Sequence, residues 1–428
     1  MSAPGSKSLP AAPDSPAGSR AVALAVLVAA LGYFVDIYDL ILFSVVRVGS
    51  LQALGVAPAD LLPRGLHIIN FQMSGMLLGG IFWGIVGDRR GRLSVLFGSI
   101  VLYSLANLCN AVPDRIAAGL GADPIEVYAW IRFVAGVGLA GELGAGITLV
   151  SESMRRETRG FGTTVVASIG ICGALAAVLV GKNASWRVAY AIGGGLGLAL
   201  LVLRLGVLES GMFESVRRKN VVRGNFFALF ANRSRVRRYL SVILIGVPIW
   251  YVIGVLVTFS PEIGKSFGMA LLPKAPDAVL AAYGGLVVGD FASGFLSQVL
   301  RNRKKVLGGF IGLTALFIGL YFTVAARSLP SFYLVCFGLG IATGYWAVFV
   351  SVASEQFGTN LRATVTTTAP NFVRGSLVPV TFAFERARGS LGVQGAALAV
   401  GAATIIIAFV ALLGLDETHG RDLDFLEE

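Results

Sequence analysis

The sequence predicts an all-α integral membrane protein with twelve transmembrane helices in two pseudo-symmetric six-helix bundles. Three observations carry this. The 428 residues are 55% hydrophobic and 14% charged, with mean hydropathy +0.77, too apolar to give a soluble protein of this size a polar surface. Apolar stretches of about 20 residues, the length that crosses a hydrocarbon core, recur along the chain, and in lipid each must be a helix because its backbone groups have no other partner. Finally, SESMRRETRGFGTT at 151–164 returns as SEQFGTNLRATVTT at 354–367, with Glu152/Arg159 and Glu355/Arg362 at a constant offset of 203. Repeated halves are the signature of membrane carriers that rock one half against the other.

The spans are expected at 21–48, 66–87, 93–112, 125–152, 161–181, 186–207, 238–261, 278–300, 306–325, 330–353, 363–386 and 391–414. Residues 1–20, rich in Ser, Pro, Ala and Gly, read as a disordered cytoplasmic N-terminus. They lack a signal-peptide pattern, so span one is retained. Residues 21–207 form the first bundle, 208–237 a polar cytoplasmic linker, 238–415 the second bundle and 416–428 a cytoplasmic tail. With the N-terminus inside, the inner segments hold 22 Lys and Arg and the outer loops 9, which places both termini in the cytoplasm. Net charge +11 therefore reads as membrane orientation rather than nucleic-acid binding.

Span one carries FVDIYDLILF, 34–43, with Asp36 and Asp39 three positions apart on one helical face. A carboxylate there costs roughly several kcal/mol unless it is paired, protonated or wet. Spans two and three are joined by GIVGDRRGR, 84–92, too charged to enter lipid. Span four begins IRFVAGVGLAGELGAGITLVSE, 131–152, with Arg132 and Glu142 inside it. Spans five and six are apolar; Arg204, like Arg47 of span one, lies close to a span end and is expected to snorkel to the interface. Span seven is GVPIWYVIGVLVTFSPE, 246–262. Span eight holds Asp290 with no local partner and leads into GFLSQVLRNRKK, 294–305. Span ten ends at Glu355, and span eleven carries PNFVRGS with Arg374 between Pro370 and Gly375, residues that loosen a helix backbone. Arg132 and Arg374 are expected to face each other across the space between halves, where two guanidiniums suit a carboxylate or other organic anion; pairing of Arg374 with Asp290 or Glu385 is the alternative. Asn371, Tyr33, Tyr38, Trp250, Tyr251, Tyr345 and Trp346 are candidates to line that space, or else to pack. Cys109, Cys172 and Cys336 are expected as buried thiols. His67 and His419 are too far apart to suggest metal.

The 84–92 loop resembles the signature of the major facilitator superfamily at Gly84, Asp88, Arg89, Gly91 and Arg92, in the place that family puts it. The resemblance implies a major facilitator fold and a cytoplasmic charge network of Asp88 and Arg92 that helps hold the outward-facing state; Gly84, Arg89, Gly91 and the repeated pairs Glu152/Arg159 and Glu355/Arg362 are read with them as gating residues, and Gln298 replaces the Asp in the later copy. Span four, with Arg132, Phe133, Gly136, Gly138, Leu139 and Gly141, and Asp36-x-Tyr38-Asp39 look more like the aromatic-acid/proton symporters, and the tail DETHGRDLDFLEE like sugar porters. Spans five and seven lack the sugar porters' glutamines, which disfavours a sugar. Asp39 lies roughly 13 Å below the outer end of span one and Arg132 roughly 9 Å below that of span four. The resemblance supports an Asp39–Arg132 pair that protonation opens; the residues themselves offer Asp36 as a second proton-coupling site or part of a wet cavity, Glu142 as proton-coupling, cavity or packing, and Arg132, Arg374, Tyr38, Trp250, Tyr345, Trp346, Asn371 and Asp290 as candidates to bind substrate. A static ion pair is the alternative.

The expected function is secondary active transport, proton-coupled symport of a small organic acid by alternating access in a bacterial inner membrane. A sugar or polyol symporter, a proton-antiporting exporter and a transport-dead ligand sensor are the alternatives. No catalytic constellation and no Gly-Lys-Ser phosphate loop is present. No cofactor beyond the proton gradient, no metal and no nucleic acid is expected; the partners are a small-molecule substrate, protons and the lipid bilayer, with the protein a monomer.

Overall fold

The computed structural model describes residues 16–90, 92–142, 144, 159–209, 226–420 and 427. Among these, helix occupies each expected span. The first half holds α1 (Pro16–Ala53), α2 (Leu61–Arg90), α3 (Arg92–Asn110), the short α4 (Pro113–Leu120), α5 (Pro124–Leu139), α6 (Arg159–Asn183) and α7 (Trp186–Glu209). The second half holds α8 (Arg233–Tyr251), α9 (Ser260–Ser266), α10 (Ala275–Val299), α11 (Arg303–Thr323), α12 (Leu329–Thr343), α13 (Trp346–Glu355), α14 (Thr359–Gly375) and α15 (Leu377–Leu413). Eight helical stretches among the described residues are long and apolar enough to cross a membrane, nine if the bent α3–α4 pair counts as one. One of them, Asn360–Leu413, has length for two crossings. The end of the bundle where α2 finishes and α8 starts is the basic end, and the opposite one the far end.

Several helix starts come earlier than expected, most of all at α1, α2 (Leu61 against 66) and α8. α1 begins at Pro16, inside the segment expected to be disordered. Proline at the first helical position followed by Ala suits a helix start. α8 begins at Arg233 rather than 238, where Asn232 caps it by accepting from Ser234 N at 2.8 Å.

The two halves use the same crossing. In the first, α2 and α5 approach until Gly75 meets the Phe133 carbonyl, Gly79 that of Val137, and Gly136 that of Gln72. In the second, α10 and α12 bring Gly285 to the Phe337 carbonyl, Gly289 to Ile341 and Gly340 to Ala282. A side chain at any of these positions would collide with backbone, so small residues set the crossing. The α10 partners lie 210 positions after those of α2, and the α12 partners 204 after those of α5. The Ser-Glu repeat is offset by 203, so one residue is lost beyond the crossing. In the second half the α12–α13 helix breaks in that interval, at Gly344 and Tyr345.

Other breaks fall where the sequence weakens the backbone. Pro248 lies inside α8, and Val252–Val257 follow as a π-helical turn. α14 ends at Gly375, beside Arg374. Gly392, at φ 66°, turns α15 between its two crossings, a conformation glycine adopts without strain. At the basic end Glu417 of the tail accepts from Arg303 N and Lys304 N, both at 3.0 Å, capping α11. Burial pushes the Glu417 pKa up, but these donors with Thr418 N and His419 N outweigh it and hold it below the ordinary value. Glu427 is likewise held low against burial by Arg238, Arg235 and Gly358 N.

The cysteines are not all buried. Cys336 is, whereas Cys109 and Cys172 face outward; lipid accepts an apolar thiol on the surface as readily as a core does.

Candidate functional site

α1 places a column of groups along its inner face, one or two turns apart. At Gly32 a Cβ would strike the buried Glu142–Arg204 ion pair. Asp36 and Asp39 follow, both fully buried, and Arg47 closes the column at the far end. Hydrocarbon outside and packed helices inside leave these ions no water from the surface, so their partners decide what they do.

Arg374 of α14 reaches across the halves and donates from Nη2 to Asp36 Oδ2 at 3.3 Å. This corrects both sequence alternatives: Asp290 and Glu385 are not its partners. Glu385 pairs with Arg388, and Asp290 accepts from Ala347 N at 3.2 Å, at the start of α13. Arg374 Nε and Nη1 have no partner among the described residues, nor does Asp36 Oδ1. The Trp346 ring lies 5.8 Å from its guanidinium carbon. Tyr33 and Tyr283 stand in the electrostatic field of the same Arg374 and Asp36.

The expected Asp39–Arg132 side-chain pair is not formed. Arg132 Nη2 donates to the backbone oxygen of Asp39 at 3.2 Å, and Nη1 to Asn107 Oδ1 at 3.4 Å. Its guanidinium lies 5.9 and 5.6 Å from the rings of Phe43 and Tyr190, and neither Asp39 carboxylate oxygen accepts a hydrogen bond among the described residues. Helix α1 presents its carbonyl to Arg132 while the Asp39 side chain turns toward Gly193 of α7. Arg132 and Arg374 therefore sit on different shells of α1, rather than face to face.

Arg47 and Arg204 do not snorkel. Arg204 pairs with Glu142 inside the first half. Arg47, with no exposed surface, grips Glu262 with two bonds of 2.7 and 2.8 Å and reaches the carbonyls of Leu61 and Thr258, both at 3.2 Å. Tertiary packing supplies partners that a reading of span ends could not see. Thr258 also donates to Ser44 at 2.9 Å, and Lys182 to Asp277 at 2.5 Å. These contacts join the halves at the far end.

The aromatic candidates divide. Tyr38 donates to the Ala189 carbonyl and Tyr345 to that of Ile245, both at 2.9 Å, so they pack within their own halves. Tyr251 does the same through Ala397 O. Trp250 is buried, with its ring nitrogen unpartnered among the described residues. Asn371 bridges the halves, donating to Ala140 O at 2.8 Å. Of the gating candidates, Gly84 lies against Thr368 of α14, Glu355 pairs with Arg303 at 2.7 Å, and Arg362 donates to Ser354 O at 3.1 Å. Glu152, Gly91 and the side chains of Asp88, Arg89, Arg92 and Arg159 lie outside the described residues. Sequence reasoning missed Tyr103 and Asn107, though their helical spacing inside span three was a legible signal.

A sequence profile described as Major Facilitator Superfamily matches residues 22–376. The niacin transporter NiaP of Acinetobacter baylyi is 25% identical over 374 residues, covering 78% of this chain and 80% of that protein. The cis,cis-muconate transport protein of the same organism is 26% identical over 428 residues, covering 94% and 96%. In structure the chain resembles the proton:xylose symporter XylE, with TM-score 0.69, 17% identity, and coverage of 95% of this chain and 98% of that one.

Proposed function

The chain belongs to the major facilitator superfamily, and on that premise we propose that it carries a small organic acid together with protons by alternating access. It is a membrane transporter and not an enzyme, as are the relatives it matches. The observation that carries the substrate class is Arg374. It is a buried guanidinium at the seam between the halves, engaged by Asp36 through one nitrogen and unpartnered at the other two among the described residues. A carboxylate substrate would take the free edge of the fork in a charge-assisted, two-point contact, with Trp346 beneath it. Niacin and muconate, named for the two relatives, are both carboxylic acids, which agrees with this reading.

Proton coupling follows from the same pair. While Asp36 is ionised it competes with substrate for Arg374; a proton on Asp36 releases the guanidinium. Asp39 is the second proton site, one turn away and without a hydrogen-bond partner among the described residues. Arg132, held by the Asp39 carbonyl, orients α1 rather than the substrate. The excess of basic residues in the inner segments supports both termini in the cytoplasm, and the short loops agree with a bacterial inner membrane.

The test is thermal stabilisation of the purified protein by nicotinate, cis,cis-muconate, benzoate and neutral sugars, at pH 6 and pH 8. A ligand that binds the folded state raises its apparent stability. Stabilisation by one or more carboxylates, larger at pH 6, is expected; stabilisation by neutral sugars alone would sink the organic-acid reading.

A further inference from the structure

Helix α3 carries Ser99, Tyr103, Asn107 and Asn110 at helical spacing on one face. All four, and Ser104 beside them, have no exposed surface. A polar stripe buried in a membrane bundle is costly unless its groups are satisfied. Yet the hydroxyls of Tyr103 and Ser104, Asn107 Nδ2 and both polar atoms of Asn110 find no partner among the described residues. Both oxygens of Asp39 are in the same condition.

Helix α7 shows how these groups line up. Asp39 Oδ1 rests on Gly193, and Tyr103 and Ser104 rest on Gly197, where a Cβ would collide with them. Arg204, farther along α7, holds Glu142. Asp39 and Tyr103 thus sit about 6 Å apart along the α7 axis. On α1, Gly32 marks the Glu142 pair, seven residues and about 10 Å from Asp39. Along α7, Tyr103 lies between Gly193, which Asp39 touches, and Arg204, which holds Glu142. Glu142, Asp39, Arg204 and Asp36 are the charged groups whose fields reach Tyr103; Asp39 lies in the fields of Arg132 and Asp36, with the Asn107 side chain beside it.

We propose that Tyr103 relays protons between Asp39 and Glu142 through the interior of the first half, along α3 and apart from the substrate's route. The inference rests on the proton-coupled reading above. Ordered water satisfies the stripe, as it does buried polar groups in general. A proton leaving Asp39 passes to such a water. The Tyr103 hydroxyl accepts one proton and donates its own onward, never ionising. Glu142 takes the last one and loosens its hold on Arg204. Each carrier gains one proton and gives one, so the net change is a single proton moved from Asp39 to Glu142. Arg132, on the far-end side of Asp39, repels an excess proton there and biases the path toward the basic end.

The experiment needs no substrate. Full-length protein in lipid films is stepped between pH 5 and pH 9 while infrared absorption follows the buried carboxylic C=O stretch. The Asp39 band is identified by its loss in Asp39→Asn. In Tyr103→Phe, which removes one oxygen, that band should keep its amplitude and respond at least about tenfold more slowly. Asn107→Leu, which displaces water beside Asp39, should slow it similarly and serves if Tyr103→Phe does not accumulate. An unchanged rate in either variant overturns the relay and leaves proton coupling standing. A wild-type protein with no band sensitive to Asp39→Asn overturns the coupling reading itself, and the relay with it.

Discussion

Arg374 donates to Asp36 across the two halves, and in the proposed function this one bond would tie substrate recognition to protonation at the scale of single residues. Removing the guanidinium should weaken carboxylate binding by roughly 10- to 100-fold, since a hydrogen bond to a charged group is worth about 1.5–3 kcal/mol. Arg374→Ala also leaves Asp36 buried without a partner, so Asp36→Asn is the informative companion. It removes the competing charge and should leave carboxylate affinity high and nearly independent of pH between 6 and 8. Calorimetric titration with cis,cis-muconate or nicotinate at the two pH values reads both. Equal affinity losses for anionic and neutral ligands in Arg374→Ala would make its role structural. The presence of these ions was legible in the sequence, because Asp36, Asp39, Arg132 and Arg374 stand out from apolar runs. Their pairing was not. Asp39 and Arg132 lie at matching depths, yet the guanidinium takes the backbone oxygen of Asp39. Depth fixes one coordinate of a side chain; helix rotation fixes the other, and rotation depends on neighbours.

Among the helices, the paired glycine crossings govern assembly. Gly136 on α5 and Gly340 on α12 each rest against a partner's backbone carbonyl, at Gln72 and Ala282. Backbone cannot step aside as a side chain can, so overpacking here exceeds the usual cost of about 1–3 kcal/mol. Gly340→Leu should lower the yield of monodisperse protein and its melting temperature sharply. Gly309→Leu, at a glycine with open space around it, should leave both near wild type. Size-exclusion chromatography with thermal unfolding compares them, and equal behaviour would remove the crossing from the account. The sequence displayed six-plus-six symmetry through its Ser-Glu repeat. It hid the crossings, because glycine is common throughout the chain, at 55 residues, and only contact shows which ones matter.

For the whole molecule, the question is which end is closed. Arg47–Glu262, Thr258–Ser44 and Lys182–Asp277 hold the halves together at the far end. Breaking a buried pair by removing one partner costs about 3–5 kcal/mol, enough to shift a two-state balance by two orders of magnitude or more. Opening of the far end should therefore become easier in Arg47→Ala. A cysteine introduced as Ser44→Cys, with the three native cysteines replaced, should then react several-fold faster with a membrane-impermeant maleimide. No change in that rate would mean the pair does not keep this end shut.

By itself the sequence determined the membrane class and the all-helical fold, and it set the expectation of two related halves and of the sidedness of charge. These follow from local properties: hydropathy over a span's length and the exclusion of Lys and Arg from lipid. Tertiary structure decided the partners of the buried ions. Arg47 and Arg204, expected at the interface, are instead buried and engaged with Glu262 and Glu142. An isolated helix leaves an arginine no better course than to reach for water. A bundle offers it a carboxylate from another helix, and charge pairing in a low-dielectric interior then outweighs the pull of the interface.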